Sequence, residues 1–262
     1  MSTWARWGAI DDGQGTAWPV ALSYLAALAL AEVLTALVEP RLGLVLHGLL
    51  LVTLLLHAAL NWGRPARALL LSIAFAPLIR LLSLSLPLAG IPLLHWYLVT
   101  SIPLFMAARI AMRTLGISWS GAGVNLRAWP LQLMVGLVGA VFGLVEYHIL
   151  RPTPLVRSFT LDQLWLPALI LLLSTGFMEE LVFRGLMQPA ARQALGGQHI
   201  MYVSALFAVL HVGYRSLLDM VFVFGVALFF GYVVERTESI LGVSLAHGVT
   251  NVVLYLVAPF VL

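Results

Sequence analysis

Long apolar runs recur along the whole chain and constrain its fold more than any other feature. A membrane-spanning helix needs about 20 mostly apolar residues. About nine such runs are present, at residues 18–38, 42–60, 68–86, 91–112, 131–150, 163–182, 200–214, 217–234 and 239–261. Helices satisfy their own backbone polar groups in lipid, so runs of this length predict helices. We therefore predict an all-α fold, a polytopic transmembrane helical bundle of about 8–9 spans.

The composition excludes several classes of function. Charged residues make up 10% of the 262 residues, against about 25% in an average soluble domain. The absence of cysteine excludes disulfides, thiolate chemistry and Cys-ligated metals. All 14 basic residues are arginines, scattered singly, whereas binding to a phosphate backbone favours a basic run. We therefore expect the lipid bilayer as a partner and no nucleic acid.

Charge distribution gives an expected orientation and location. The N-terminal stretch, "MSTWARWGAIDDGQGTAWPV", has two acids and no compact apolar core, so it does not have the pattern of a signal peptide. Arginines are more frequent in the connections on the N-terminal side, which favours a cytoplasmic N-terminus. The Arg-only composition and the character of the N-terminal half lead us to expect an integral protein of a bacterial inner membrane.

Charged side chains inside the apolar runs mark the candidate functional residues. A charge at mid-bilayer costs about 2.5–3.5 kcal/mol on insertion scales, so such residues normally face the bundle interior. Those placed in or near predicted spans are Glu32, Arg80, Glu146, Glu179, Glu180, Arg184 and Asp219.

The densest group lies in "LLLSTGFMEELVFRGLMQPA", residues 171–190. Glu180 and Arg184 are one helical turn apart, so their side chains can pair. Glu179 lies well off that face, because successive helical residues are about 100° apart. One carboxylate is then neutralised locally and the other points elsewhere. The alternative is a single ion cluster of all three residues that only holds helices together.

Two further pairs have the same spacing, Phe207 with His211 and His247 with Asn251. Each taken alone has an ordinary explanation, a satisfied core histidine or an asparagine bonded to a neighbouring helix. A turn at "GGQ", residues 196–198, would place Glu179 and His211 about 27 and 21 Å from it along two helices. The second pair would rise about 14–20 Å from the loop at 235–239. We therefore expect a carboxylate, two imidazoles and an amide to converge within the membrane.

These three motifs together resemble those of the CPBP family of intramembrane proteases, which includes the CAAX prenyl endoproteases and bacterial Abi proteins. The resemblance covers roughly 163–256, so we divide one integrated membrane domain into accessory helices at 1–160 and a four-helix core at 161–262 that carries the intramembrane site.

The resemblance also implies roles for the motif residues. Glu179 would be the general base that activates a water for attack on a peptide carbonyl, and His211 would hold that water or share its proton. His247 and Asn251 would stabilise the oxyanion. Supporting roles would fall to Glu180, Arg184 and Phe207. The substrate would be a peptide or a membrane-associated protein, and no cofactor is expected.

Three alternatives stay open. In the first, Glu179, His211 and His247 bind Zn²⁺ with water in the fourth position, although the chain lacks an H-E-x-x-H motif. The second is a proton-coupled transporter with Arg80 as a gate, for which we find no inverted repeats. The third is a non-catalytic immunity or scaffold protein of the same fold.

Overall fold

The computed structural model describes residues 17–62, 66–86 and 90–262. The N-terminal stretch, on which the predicted absence of a signal peptide rests, lies outside these residues, as does the N-terminus predicted to be cytoplasmic. The described residues form helices, turns and loops without a strand. The all-α fold class is therefore confirmed.

Among the described residues, eight helical segments are long and apolar enough to cross a membrane, which confirms the polytopic bundle. In chain order they are α1 (Ala17–Val38), α2 (Pro40–Leu60), α3 (Ala66–Ser85), α4 (Leu93–Thr114), α5 (Trp129–Leu150), the segment Leu161–Tyr214 with α6 (161–195) and α7 (His199–Val209), α8 (Leu217–Thr237) and α9 (Leu241–Val261).

The segment Leu161–Tyr214 unites two runs that the sequence predicts as separate spans. Its helices α6 and α7 are joined by a short turn at Gly196–Gln198. Gly196 has φ 69°, a backbone conformation that glycine adopts without steric cost. Helix α7 packs back on the 181–195 part of α6. The turn predicted from "GGQ" is therefore present, and it returns the chain into the bundle.

Helix α6 departs from α-helical geometry on both sides of its two glutamates. Leu171–Phe177 and Leu181–Met187 are π-helical, and Met178–Glu180 between them is α-helical. A π-helical turn bonds each N–H five residues back instead of four, and such turns are frequent at functional sites. The two turns change the direction in which the side chains of this stretch point.

Glycines bring α9 into backbone contact with α5 and α6. A Cβ on Gly139 would lie 2.1 Å from the Ala246 carbonyl oxygen, and one on Gly176 would lie 2.6 Å from that of Ser244. No side chain fits at either distance. Small residues of this kind let membrane helices approach closely. The contact at Gly176 places the first half of α9 directly beside the glutamates of α6.

The N-terminal helices pack against this C-terminal part. Helices α1 and α2 pack on each other, α1 also contacts α7, and α3 contacts α6. Outward-facing positions are apolar, as at Leu49, Leu137 and Val221. Charged residues such as Glu32, Glu180 and Arg184 are buried. The bundle thus presents its apolar surface outward and keeps charge inside, as expected of a protein solvated by lipid.

Candidate active site

A buried ion cluster lies at the contact between α6 and α9. Oε1 of Glu180 accepts a hydrogen bond from Nη1 of Arg184 at 3.1 Å and another from Nδ1 of His247 at 2.8 Å. The pair that the i,i+4 spacing predicts is therefore present. The bond from His247 was not predicted, since it joins two helices.

Arg184 connects the cluster to two more helices. Its Nη2 donates to the Ala227 carbonyl of α8 at 3.3 Å. Its guanidinium lies over the Phe207 ring of α7, 4.7 Å from the centroid, and near the Phe230 ring of α8. Because one cation contacts α6, α7 and α8, the cluster holds the helices of the site in a fixed arrangement.

Glu179 has a different environment from its neighbour. Its side chain is 32% exposed, whereas that of Glu180 is fully buried. Oε2 of Glu179 lies 3.9 Å from Nε2 of His247. The His247 ring therefore lies between the two carboxylates, bonded to the buried one and facing the exposed one. This leaves Glu179 as the carboxylate of the pair that can meet water.

His211 lies just beyond the end of α7, between the helix and a tighter turn at Val212–Tyr214. Its Nδ1 donates to the Phe207 carbonyl at 2.9 Å, so Nε2 is the nitrogen left for other groups. The ring lies between those of Phe207 and Tyr214, with centroid distances of 5.0 and 5.8 Å. Both neighbours restrict the orientation of the imidazole.

Asn251 is oriented by a residue that the sequence does not single out. Its Nδ2 donates to Oγ1 of Thr175 at 2.8 Å, and this hydroxyl donates to the Leu171 carbonyl. Thr175 lies in the first π-helical turn of α6. An amide has two N–H donors, so the second stays available beyond the bond to Thr175.

The four predicted site residues line one cavity of about 80 Å³, enough for a few waters at about 10–15 Å³ each. Glu179, His211, His247 and Asn251 all contribute to its wall. The same wall includes Tyr97, Glu146, Tyr214 and Tyr255. Tyr97 and Glu146 belong to α4 and α5, so the cavity draws on helices before residue 161.

The tyrosines and Glu146 extend the polar part of the cavity. The hydroxyls of Tyr214 and Tyr255 are hydrogen-bonded at 3.0 Å. Glu146 is buried on α5. The sequence marks Glu146 as an embedded charge without assigning it a role, and it does not mark the tyrosines. The only sequence signal for them is a polar group within an apolar run, which is weak for tyrosine because it is common at membrane interfaces.

A second cavity of about 190 Å³ adjoins the first. Glu179 and His211 line both cavities. The second one extends toward α3 and α4, where Arg80 and Thr100 reach its wall. Water and an extended chain therefore have more room beside Glu179 than the first cavity alone provides.

The remaining embedded charges include Arg80, which lines the second cavity, and Glu32 and Asp219. Glu32, His47 and Arg80 form a buried group at the N-terminal helices, where Nε of Arg80 lies 2.6 Å from Oε1 of Glu32. Asp219 on α8 is fully buried. Within the part of the chain that the structure describes, neither of its carboxylate oxygens has a hydrogen-bond partner.

A metal site was the main alternative for the motif residues. Over residues 17–62, 66–86 and 90–262, no three His, Asp or Glu side chains are grouped as a set that could hold one metal ion. Glu179, His211 and His247 line a common cavity without forming such a set. As placed, these residues do not fit the three-ligand zinc site.

The motif-bearing segment matches a known family. Residues 161–253 match the family described as type II CAAX prenyl endopeptidase Rce1-like. This range contains the glutamate pair, His211, His247 and Asn251. No curated protein and no solved structure matches the chain. This segment is therefore similar to the CAAX protease family, and the eight apolar helices found among the described residues fit an integral membrane protein.

Proposed function

We propose that the protein is an intramembrane endopeptidase that hydrolyses a peptide bond with a water activated by Glu179. The observation that supports this most directly is the difference between two adjacent carboxylates. Glu180 is buried and bonded by Arg184 and His247, whereas Glu179 faces a cavity shared with His211, His247 and Asn251.

The proposed reaction uses these four side chains and no cofactor. A water held between Glu179 and Nε2 of His211 gives its proton to Glu179, and its oxygen bonds to the peptide carbonyl carbon. The carbonyl oxygen becomes an oxyanion. In this proposal His247 is doubly protonated, so that Nδ1–H stays bonded to Glu180 while the oxyanion accepts hydrogen bonds from Nε2–H of His247 and the free N–H of Asn251. Glu179 then returns the proton to the nitrogen as the C–N bond breaks, which yields a carboxylic acid and an amine.

The stabilising groups are oriented by the buried ion cluster. Glu180 accepts from Nδ1–H of His247, which directs Nε2 toward Glu179 and the cavity. Fixed donors in a site of limited water access contribute more than donors that must reorganise, roughly 2.7–4 kcal/mol for one oxyanion donor in mutagenesis. Arg184 and Phe207 act only through the positions of these groups.

The substrate we propose is a peptide or a membrane-associated protein. Its scissile bond has to reach Glu179 from the cavities beside α3 and α4.

We place the enzyme in a bacterial inner membrane, with its site open to the cytoplasmic face. The chain has no cysteine, so a single cysteine at exposed Gln198 reports the side of the Gly196–Gln198 turn. Labelling only from outside the cell would contradict this orientation.

The decisive experiment compares the wild type with Glu179→Gln in reconstituted membranes. Both proteins are placed in liposomes with internally quenched peptides, farnesylated and unmodified, and in parallel with solubilised bacterial membrane proteins. We expect new peptide termini with the wild type alone. Identical products for the two proteins on every substrate would refute the proposed protease mechanism. Cleavage of the farnesylated peptides alone would show that prenylation is recognised.

A further inference from the structure

Arg80 links the N-terminal helices to the candidate site. It lies on α3, and its side chain is 19% exposed on the wall of the larger cavity. Its Nε donates to Oε1 of Glu32 on α1 at 2.6 Å. Glu32 is almost fully buried, and Nε2 of His47 lies 3.4 Å from the same oxygen. The buried carboxylate of Glu32 therefore holds the guanidinium of Arg80 on the side away from the cavity.

The other end of the same guanidinium reaches the last turn of the α7 segment. Nη2 of Arg80 donates to the carbonyl oxygen of Leu210, the residue before His211. The last carbonyls of a helix have no partner within the helix, and a cation there is favourable because of the helix dipole. Arg80 thus supplies the missing partner for the end of α7.

The position of His211 depends on this same turn. Its backbone N–H donates to the Ala208 carbonyl at 2.9 Å, and its ring Nδ1 donates to the Phe207 carbonyl at 2.9 Å. Both contacts keep the imidazole tied to the helix end rather than to a neighbouring helix. A contact that holds the Leu210 backbone in place therefore also holds Nε2 of His211 in the cavity.

We propose that Arg80, anchored by Glu32, is a positioning residue of the active site that holds the end of α7 and thereby His211 at the reacting water. The kinetic part of this proposal rests on the proposed protease function, and the structural part does not. With this role of Arg80, the helices before residue 161 contribute to catalysis by positioning His211. Arg80 itself has no contact with the reacting atoms.

Arg215 provides a matched control. Its Nη2 donates to the Ala36 carbonyl of α1, so it also joins the N-terminal helices to the chain just after His211. It is exposed, and it lines neither site cavity. If any lost connection between the N-terminal helices and the chain near His211 were enough, Arg80→Ala and Arg215→Ala would have the same effect. The proposal expects an effect of Arg80→Ala only.

The first measurement is amide hydrogen exchange of residues 206–214 in proteoliposomes, which needs no substrate. We expect Arg80→Ala to raise exchange there by tenfold or more, and Arg215→Ala to change it by less than twofold. Because Arg80→Ala leaves Glu32 buried without its cation, the double variant Glu32→Gln, Arg80→Ala replaces it if the single variant does not fold. Unchanged exchange, or equal changes for both arginines, would overturn the proposal.

The second measurement is steady-state cleavage of a peptide that the wild type cleaves. Displacing a catalytic group by about 1 Å can cost roughly 100-fold, so Arg80→Ala should lower kcat by about 10- to 100-fold with KM within about threefold. Arg80→Lys should keep part of the rate, and added guanidinium should restore part of it to Arg80→Ala. A raised KM with unchanged kcat would contradict the proposal. If the wild type cleaves nothing, the protease function fails, and hydrogen exchange alone decides the positioning role.

Discussion

Two of the ion clusters that the described residues form have the same composition and a fully or almost fully buried glutamate, each with one glutamate, one arginine and one histidine. In the N-terminal cluster Oε1 of Glu32 lies 2.6 Å from Nε of Arg80 and 3.4 Å from Nε2 of His47. In the site cluster Oε1 of Glu180 lies 3.1 Å from Arg184 and 2.8 Å from His247. Composition alone therefore does not distinguish a structural cluster from one in an active site.

The difference lies in the groups around each histidine. Neither ring nitrogen of His47 forms a hydrogen bond with the residues the structure describes, and His47 is fully buried. The ring of His247 is bonded on one side and faces a second carboxylate, Glu179, on the cavity side. A buried ion cluster supplies orientation, and the chemistry we propose needs one more ionisable group that water can reach.

The largest expected effect separates the two adjacent glutamates. Glu179→Gln should lower cleavage by about 10²- to 10⁴-fold, because a general base contributes that much. The free energy of unfolding of this variant should change by no more than about 0.5 kcal/mol, since the Glu179 side chain is partly exposed. Product formation and unfolding in denaturing detergent measure the two quantities. Retained cleavage would assign the base to another residue.

Glu180→Gln should instead destabilise the fold. It leaves Arg184, 1% exposed, buried without its carboxylate, and such a change costs about 3–5 kcal/mol. The comparison variant is Glu32→Gln in the N-terminal cluster. There we expect a smaller loss, because Arg80 is partly exposed and keeps its bond to the Leu210 carbonyl. Equal losses in the same unfolding assay would show that the two clusters are energetically alike.

Asn251→Ala tests the proposed oxyanion donor. Removal of one such donor lowers kcat by about 10²- to 10³-fold in a well-studied protease, and we expect a loss of that order with little change in KM. Thr175→Val is the matched control, because it removes the hydroxyl that orients Asn251 and leaves the amide in place. Its loss should be smaller. A larger loss for Thr175→Val would point to the hydroxyl as the functional group.

Metal removal is expected to have the smallest effect. The site we propose works with four protein side chains, so exhaustive chelation should leave cleavage unchanged within about twofold. Elemental analysis of the active, purified protein accompanies the rate measurement. Stoichiometric zinc together with a rate that is lost on stripping and regained with zinc alone would make Glu179 a metal ligand. The contrast between the two glutamates would then need a different explanation.

Contacts within one helix could be predicted from the sequence, and contacts between helices could not. The pairing of Glu180 with Arg184 follows from helical spacing alone. A count of residues from the turn at 196–198 was enough to expect the motif residues at similar depth. The bonds from His247 to Glu180 and from Asn251 to Thr175 join residues 67 and 76 positions apart. They depend on how α6 and α9 are rotated, which spacing within one helix does not specify.

Two features bear on that rotation, and both are weak signals in a single sequence. One is the backbone contact at Gly176, which brings α9 against α6. The other is the pair of π-helical turns in α6, which an ideal α-helical projection does not include. The contact of Arg80 could not be predicted for the same reason, since its partner, Leu210, is 130 positions away in the sequence. As an isolated charge on an apolar helix, it was assigned only to the transporter alternative.

The π-helical turns of α6 also bear on how this chain can change in length. Deleting one residue from an α-helix rotates everything that follows by about 100°. A π-helical turn holds more residues than an α-helical one, so it can lose one and become α-helical while both flanks keep their register. Leu171–Phe177 and Leu181–Met187 are therefore the places where single-residue deletions are expected to survive among relatives. In an alignment of such proteins, a one-residue gap beside the two glutamates would then indicate that a π-helical turn has become α-helical. It would not indicate that the site residues are missing.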